Sequence, residues 1–263
     1  MSTSMDINCD VGESLGNWTL GADDELLPRI TTASLACGFH GGDPLTMRRT
    51  VEAAVEHGVA VGSHPGLPDL LGFGRRVMAV SPEDLHAYIV YQSGALEAFL
   101  RPHGRALSHV KPHGALYPML NRDEDLAAAT VDAMFEVMDR PALYWPAGSE
   151  DRALLRVARD RGVRVIREFY PDSRYGADGE TMVERHREPM SPDAAEAALR
   201  RFLNRGEVET IDGSVIPLAA ESICVHGDGP TAVAIVDRVV AVLGELGRPL
   251  AAATAHDSED ALR

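Results

Sequence analysis

Short apolar runs alternate seven times with longer segments of helical period along this chain of 263 residues. Regular alternation of strands and helices is typical of a parallel β-sheet whose faces are covered by the helices. An open doubly wound sheet and a closed barrel both satisfy such a pattern. The predicted strands are residues 6–9, 33–37, 59–62, 106–110, 142–145, 163–166 and 222–225.

Three further segments have a clear local signature. Residues 44–57 carry apolar side chains at helical spacing and stop before Gly58, a residue that commonly ends helices. Residues 230–246 show the same spacing and begin with a proline, which fits a first helical turn. Residues 207–218 predict a small β-hairpin around Asp212-Gly213.

The length allows one barrel-sized unit, because parallel α/β barrels run to about 250 residues. No linker-like segment divides the chain, so we expect a single β/α barrel domain over residues 1–248. Residues 249–263 are Ala-rich and polar without a clear pattern, and we expect them to form a flexible C-terminal tail.

Charge and cysteine content narrow the class of protein. Acidic residues outnumber basic ones by 40 to 25, and the resulting net charge of −15 would repel nucleic acid and anionic membrane surfaces. No apolar run approaches the roughly 18 residues of a transmembrane helix, and the N-terminus lacks the features of a signal peptide. Three widely spaced cysteines without a CxxC motif argue against a disulfide framework and indicate a cytoplasmic protein.

Polar residues concentrate where the predicted strands end. Six of the seven strand exits, meaning the residues that follow each strand, carry His, Asp, Glu, Lys or Arg beside Gly or Pro. In a closed barrel all exits meet on one face, where barrel enzymes have their active sites, whereas an open sheet gathers only the exits at its switch point. The distribution therefore favours a TIM-like barrel. The exits at 63–81 and 167–190 exceed ordinary connections, and we interpret them as lids or binding loops.

The exits, taken in order, resemble the LamB/YcsF family. The matching stretches are DINCDVGES, ASLACGFHGGDP, GSHPGLPD, FGRR, HVKPHGALY and CVHGDG, which span residues 6 to about 229. The resemblance implies an irregular seven-stranded β/α barrel related to glycoside hydrolases and deacetylases. It also implies a 5-oxoprolinase subunit that takes part in ATP-dependent opening of 5-oxoproline (pyroglutamate) to L-glutamate, with subunits B and C as partners.

One stretch departs from the family pattern, which tends to place Ala-Asp-Arg before a tyrosine in the sixth exit. This chain reads PDSRY, so Asp172 and Tyr175 align, Ser173 occupies the arginine position, and Arg174 lies one position later. We include Asp172 and Arg174 among the expected substrate-binding residues.

The first three exits could form a metal site. Asp10, His40 and His64 offer one carboxylate and two imidazoles, a set that could hold Zn²⁺, Fe²⁺ or Mn²⁺ with a position open for water. Their spacing matches no known ligand motif, so a hydrogen-bonded cluster that binds substrate is the alternative. In either case we expect these residues to be catalytic.

The fourth exit contains two further catalytic candidates, because Pro112 forces the chain out of any strand between Lys111 and His113. We expect His113 to act as a general base, since imidazole titrates near neutral pH. Lys111 could polarise the lactam oxygen or a phosphate attached to it. The alternative is a lysine that reaches solvent and a histidine that caps a turn.

The remaining expected residues would bind substrate. Arg75, next to Arg76, fits the α-carboxylate of pyroglutamate, although a solvated surface pair is an equal alternative. The glycine-rich turn HGDGP suits an anion held by backbone N–H groups. The full expected substrate-binding set is Glu13, Asp43, Asp69, Arg75, Asp172, Arg174, His226, Gly227 and Asp228.

Two alternative functions remain open at this point. One is a stand-alone metal-dependent amide hydrolase or deacetylase, and the other is a non-catalytic subunit that binds the lactam. The chain contains no GxxxxGK[ST] motif, so ATP is either handled by a partner or bound here without a recognised motif.

Overall fold

The computed structural model describes residues 4–148, 150–182 and 188–255. Six strands form a parallel sheet in the order β3-β2-β1-β8-β5-β4, and β6 and β7 form the antiparallel hairpin predicted for residues 207–218. The strands are β1 (Asp6–Val11), β2 (Thr32–Ala36), β3 (Ala60–His64), β4 (Ala142–Pro146), β5 (Arg164–Phe169), β6 (Glu207–Glu209), β7 (Val215–Pro217) and β8 (Ser222–Val225).

The sheet closes on itself through a short segment at Val110. This residue forms parallel bridges with Ser63 of β3 and with Leu143 of β4. The Ser63 N–H donates to the His109 carbonyl at 3.0 Å, and the Val110 N–H donates to the Ala142 carbonyl at 2.9 Å. The barrel prediction is confirmed, but its fourth member is a bridging segment rather than the full strand predicted for 106–110. Pro112 has no N–H and ends the ladder.

Eight helices in the described part of the chain accompany the strands. Four of them begin at a side chain that accepts backbone N–H groups of the first turn, namely Asp43, Ser81, Asp123 and Ser191. The helices are α1 (Asp23–Leu26), α2 (Pro44–Glu56), α3 (Pro82–Leu100), α4 (Leu116–Leu120), α5 (Glu124–Val137), α6 (Ala153–Asp160), α7 (Pro192–Arg205) and α8 (Ala232–Glu245). Among the described residues, none of these helices has the length and apolar character that a bilayer crossing requires.

The two faces of β1 differ in chemistry. Ile7, Cys9 and Val11 belong to the apolar cluster that joins the sheet to the surrounding helices. The alternate residues face the barrel interior, where Asp6 accepts hydrogen bonds from several hydroxyl groups and Asn8 donates to Ser222 Oγ at 2.7 Å. The alternation follows from the period of two in a strand. The interior of the barrel is therefore partly polar, and its hydrogen bonds lead upward to the strand exits.

The first part of the C-terminal segment packs against the barrel. The Met5 N–H donates to the Pro249 carbonyl at 2.9 Å, the Ala251 N–H donates to the Met5 carbonyl at 3.2 Å, and Ala253 is buried against β4 and β5. Paired backbone groups and apolar burial hold residues 249–255 against the entry side of the barrel. Residues 256–263 of the expected tail lie outside the described residues.

Candidate active site

Lys111 lies at the centre of the polar residues in the upper barrel. Its Nζ is 2.9 Å from Asp10 Oδ1 and 3.1 Å from Glu168 Oε1, and it also donates to Asn8 Oδ1 at 3.2 Å. Lys111, Asp10 and Glu168 are all buried. Burial by itself would lower the pKa of the ammonium, but the neighbouring carboxylates raise it well above its ordinary value. The arrangement keeps a lysine charged inside the barrel.

Asp10 is held as a carboxylate in the same way. Burial would raise its pKa, but the Lys111 ammonium and the His64 and His226 imidazoles outweigh it and lower the pKa. Glu168, the second carboxylate on Lys111, was missed in the sequence analysis because the predicted sixth strand ended at residue 166, whereas β5 continues to Phe169. An acidic residue two positions after the run at 163–166 was the available signal.

Three buried histidines stand beside this charged group. The His64 Nδ1 is 2.6 Å from the Lys111 carbonyl, and the His113 Nε2 is 2.8 Å from the Phe73 carbonyl. The remaining nitrogens of these two rings, His64 Nε2 and His113 Nδ1, are 2.9 Å apart. The His40 ring stacks on the His113 ring with 3.6 Å between centroids. Burial lowers the pKa of all three imidazoles, that of His64 to about 3.

Glu13 approaches the histidines from the first strand exit. Its Oε1 is 3.4 Å from His40 Nε2, and burial together with the charges of Asp228 and Asp10 raises its pKa well above the ordinary value. One ligand atom from each of Glu13, His40, His64 and His113 lies within 4.8 Å of every other. This group could hold a metal ion. It differs from the expected trio, because Asp10 is engaged by Lys111 and Glu13 and His113 take part.

The loop after β3 covers the histidines. Phe73 adopts a left-handed conformation with φ of 53°, which directs its carbonyl to His113, and its ring makes edge contacts with the His40 and His113 rings. A non-glycine residue in this conformation is uncommon and carries strain. Gly74 follows with φ of 62°, and a Cβ there would lie 2.8 Å from the His113 ring and from the His40 Cβ. The long exit at 63–81, interpreted as a lid or binding loop, is therefore built against the histidines.

The exits after β5 and β8 contribute a second arrangement, in which a histidine pairs with an aspartate. His226 Nδ1 is 3.2 Å from Asp172 Oδ2, and the His226 backbone N–H donates to the same oxygen at 3.0 Å. The Tyr170 ring stacks against the His226 ring, and the Tyr170 hydroxyl donates to Glu168 at 2.7 Å. A carboxylate on Nδ1 places the ring proton there and leaves Nε2 as the acceptor nitrogen.

A small cavity of about 50 Å³ opens between these groups. Asp10, His64, His113, Arg75 and His226 all line it, together with Tyr117, Tyr170, Thr181 and Met182. Tyr117, Thr181 and Met182 also line a larger neighbouring cavity of about 320 Å³. Arg75 additionally borders a cavity of about 260 Å³ beside the HGDGP turn. Substrate groups of different size therefore have adjoining spaces at one end of the barrel.

Most of the expected site residues meet at this end of the barrel, and the HGDGP turn packs closely beneath them. A Cβ on Gly227 would lie 2.2 Å from the Asp10 carbonyl oxygen, so only glycine allows the turn to approach β1 this closely. Asp228 binds the Arg75 guanidinium at 2.8 Å. The residues brought together are Asp10, Glu13, His40, His64, Arg75, Lys111, His113, Asp172, His226, Gly227 and Asp228.

Three expected residues have other positions. Asp43 caps α2 by accepting from the Leu45 and Thr46 N–H groups. Asp69 binds Arg76 and so holds the loop after β3. This contact keeps Arg76 out of the cavity that Arg75 lines. Arg174 is exposed and borders a different cavity, on the side of β5 that faces α7. The long exit at 167–190 contributes Tyr170, Asp172 and other residues, while residues 183–187 lie outside the described part.

Comparison with known proteins adds sequence and fold relationships. The model of the LamB/YcsF family matches residues 5–258. The A subunit of the 5-oxoprolinase from Geobacillus thermodenitrificans is 44% identical over 247 residues, which cover 93% of this chain and 94% of the relative. The solved structure of a lactam utilization protein from Thermus thermophilus has 39% identity and a TM-score of 0.85, and the match covers 95% of this chain and 99% of that one.

A peptidoglycan N-acetylglucosamine deacetylase is similar in fold alone, with a TM-score of 0.50 and 13% identity over 97% of this chain and 87% of that one. The relation to deacetylase barrels that the resemblance implied is therefore present at the level of the fold.

Proposed function

The chain belongs to the LamB/YcsF family, and we propose that it is the A subunit of an ATP-dependent 5-oxoprolinase. In the proposed reaction the bond between the lactam carbonyl carbon and the ring nitrogen breaks. A hydroxyl from water ends on that carbon and a proton on the nitrogen, which gives L-glutamate, and a second water is consumed as ATP is converted to ADP and phosphate. Relatives named as the A subunit of 5-oxoprolinase, matched over nearly their whole length, support this role.

The observation that carries the proposal is that the cavity combines a cation with an acid–imidazole pair, in which the carboxylate is buried and the imidazole is half-buried. Arg75 and His226 line the same small cavity, and Asp172 orients His226. Opening of 5-oxoproline requires a group that holds its carboxylate and a group that takes a proton from water. Guanidinium and imidazole are the side chains best suited to those two tasks.

Arg75 would bind the substrate carboxylate. Its guanidinium is mostly buried, contacts the Phe73 ring at 5.0 Å and is held by Asp228 at 2.8 Å. A guanidinium presents several donors in one plane, so it can retain one partner and bind a carboxylate with its other N–H groups. The Asp228 contact fixes the direction from which the substrate approaches.

His226 would accept the proton from water. We transfer this role from His113, whose two ring nitrogens are occupied by the Phe73 carbonyl and by His64. In His226 the Asp172 carboxylate fixes the proton on Nδ1 and stabilises the imidazolium that forms when Nε2 takes up a second proton. The pair thus has the two features that a general base needs, orientation and a counter-charge.

Lys111 would act by holding charge in place rather than by touching the lactam oxygen. An ammonium has three N–H groups, and those of Lys111 donate to Asn8 Oδ1 at 3.2 Å, Asp10 Oδ1 at 2.9 Å and Cys224 Sγ at 3.1 Å, while Glu168 lies beside it as an ion-pair partner. Lys111 therefore positions Asp10, which lines the cavity, and keeps it ionised. Phosphoryl transfer from ATP is assigned to partner subunits B and C, since this chain lacks a glycine-rich phosphate loop with its lysine.

The test is glutamate release by the purified chain with and without subunits B and C, in the presence of ATP and 5-oxoproline. We expect no turnover by the chain alone, full turnover by the complex, and a loss of about 10²–10⁴-fold in the complex that contains His226→Ala. ATP hydrolysis stimulated by 5-oxoproline in the chain alone would overturn the assignment to the partners. Full activity of the His226→Ala complex would overturn the catalytic role and favour a non-catalytic lactam-binding subunit.

A further inference from the structure

His64 and His113 face each other through two nitrogens that both carry lone pairs. A carbonyl oxygen can only accept, so the contacts of His64 Nδ1 with the Lys111 carbonyl and of His113 Nε2 with the Phe73 carbonyl require N–H at those positions. A neutral imidazole has one N–H, and the lone pairs therefore lie on His64 Nε2 and His113 Nδ1, which are 2.9 Å apart. Two acceptors at this distance repel each other unless a positive centre lies beside them.

His40 and Glu13 place two more potential metal-ligand atoms beside His64 and His113. His40 is 1% exposed, and neither of its ring nitrogens has a hydrogen-bond partner among the described residues. A buried polar atom without a partner is costly and calls for an occupant. The His40 Nε2 lies 3.4 Å from Glu13 Oε1, and the ligand atoms of all four residues are within 4.8 Å of one another.

The local charge also favours a cation. The carboxylates of Asp10 and Glu168 are buried against the ammonium of Lys111, and the carboxylate of Glu13 is buried beside His40. The ammonium of Lys111 balances one of the two carboxylates that it contacts, and Glu13 would be ionised as a metal ligand, since metal ligands bind in their deprotonated form. Buried charge without compensation is expensive, and a divalent ion would balance it.

We propose that Glu13, His40, His64 and His113 bind one divalent transition-metal ion at the top of the barrel. Three imidazoles and one carboxylate suit zinc, iron and related metals rather than magnesium or calcium, which prefer oxygen ligands. Two imidazole nitrogens bound to one such ion lie roughly 3 Å apart, as His64 Nε2 and His113 Nδ1 do. The His40 ring stacks on His113 and has a ring nitrogen within 4.8 Å of the other three ligand atoms. This inference does not depend on the proposed function.

The contacts behind the ligands support the same assignment. Ligating histidines commonly donate their other N–H to a carbonyl or carboxylate, which fixes the ring and its tautomer. The Lys111 carbonyl does this for His64 and the left-handed Phe73 carbonyl does it for His113. The strained conformation of Phe73 is thereby explained, because it orients one ligand.

The experiment measures metal directly. The full chain is stripped with a chelator and titrated with Zn²⁺ by calorimetry and with Co²⁺ by visible absorption, and metal content after dialysis is measured by mass spectrometry. We expect one ion per chain and Co²⁺ visible bands stronger than those of the hexaaqua ion, as a four- or five-coordinate protein site gives. His64→Ala and His113→Ala should weaken binding by at least about 100-fold, more than a change behind the ligands usually does. Glu13→Gln, which keeps the side-chain shape, tests the site if an alanine variant fails to fold.

Two controls separate this site from other effects. His86→Ala removes a partly exposed histidine that pairs with Glu136 and should leave stoichiometry and affinity unchanged. His226→Ala should keep the ion even though the proposed function expects it to lose activity, so the two ideas fail independently. Absence of Zn²⁺ and Co²⁺ binding in the wild type would overturn the proposal, as would equal loss in His86→Ala. Absence of metal binding would mean that His64 and His113 share a proton instead.

Discussion

The Lys111 ammonium nitrogen lies 2.9 Å from Oδ1 of Asp10, although 101 positions separate the two residues in the chain. Both side chains are buried, and the same ammonium also contacts Glu168. A buried ion pair of this kind contributes little net stability when intact, but loss of one partner leaves an uncompensated charge in the interior. The pair therefore links the fold to the candidate site.

We expect Lys111→Met to destabilise the protein by about 3–5 kcal/mol, because it leaves Asp10 and Glu168 buried without a cation. The free energy of unfolding from urea titration measures this loss. The double variant Lys111→Met/Asp10→Asn should lose less free energy of unfolding than the two single variants lose together, since one of the unpaired charges is removed. Simple additivity would mean that the pair is not coupled.

Asp43 should contribute to stability as a helix cap and not to substrate binding. Asp43→Ala is expected to cost about 1 kcal/mol, whereas Asp43→Asn keeps an acceptor oxygen and should cost less. Hydrogen bonds from the Gly16 and Thr46 N–H groups lower the Asp43 pKa to about 2. Because the pKa of Asp43 is lower in the folded state, its ionised carboxylate stabilises the folded protein at pH values above the unfolded pKa of 3.8. This stabilisation is lost as the pH falls toward about 2.

The stability difference between wild type and Asp43→Ala should therefore be constant above about pH 5 and shrink at lower pH. Urea titrations at a series of pH values test this sign. A difference that grows on acidification would contradict it, and a raised KM for 5-oxoproline in Asp43→Ala would restore the expected substrate role.

Gly74 is required by the histidines beside it, and Gly104 provides the matched control. Both have left-handed backbones, with φ of 62° and 65°, but a Cβ on Gly104 would meet no atom within 4 Å. Gly104→Ala should cost only the conformational strain, about 1–2 kcal/mol. Gly74→Ala should cost about 1–3 kcal/mol more, because its Cβ would press on His40 and His113. Thermal unfolding compares the two, and equal losses would show that the loop can move away.

The two arginines expected to bind substrate, Arg75 and Arg174, should differ in their effect on substrate binding. Arg75→Ala should raise KM for 5-oxoproline in the complex by roughly 10–100-fold, the effect of losing a hydrogen bond between charged groups. Arg174→Ala should leave KM unchanged, since Arg174 is exposed and borders another cavity. Steady-state kinetics with the reconstituted complex measures both. A larger effect of Arg174→Ala would place the substrate on the α7 side of β5.

Much of the architecture follows from patterns that are local in the chain. Alternating apolar runs and helical segments led to a parallel barrel, and the polar residues after each run led to a site at the strand exits. These inferences hold because strand period, helix caps and turn residues act over a few positions. The strand predicted for 106–110 was less accurate. That segment bridges β3 and β4 through Val110 alone, and a single bridging residue leaves no strand-length pattern in the sequence.

The residue types at the barrel exits can be predicted from local patterns, since each exit is placed by the strand directly before it. How these residues pair depends on the closed barrel: Lys111 pairs with Glu168, Arg75 with Asp228 but Arg76 with Asp69, and His226 with Asp172. The tautomers of His64 and His113 also depend on carbonyls delivered by Lys111 and by the left-handed Phe73. Hydrogen bonds and ion pairs act over a few ångströms, and closure of the barrel sets which distant residues come that close.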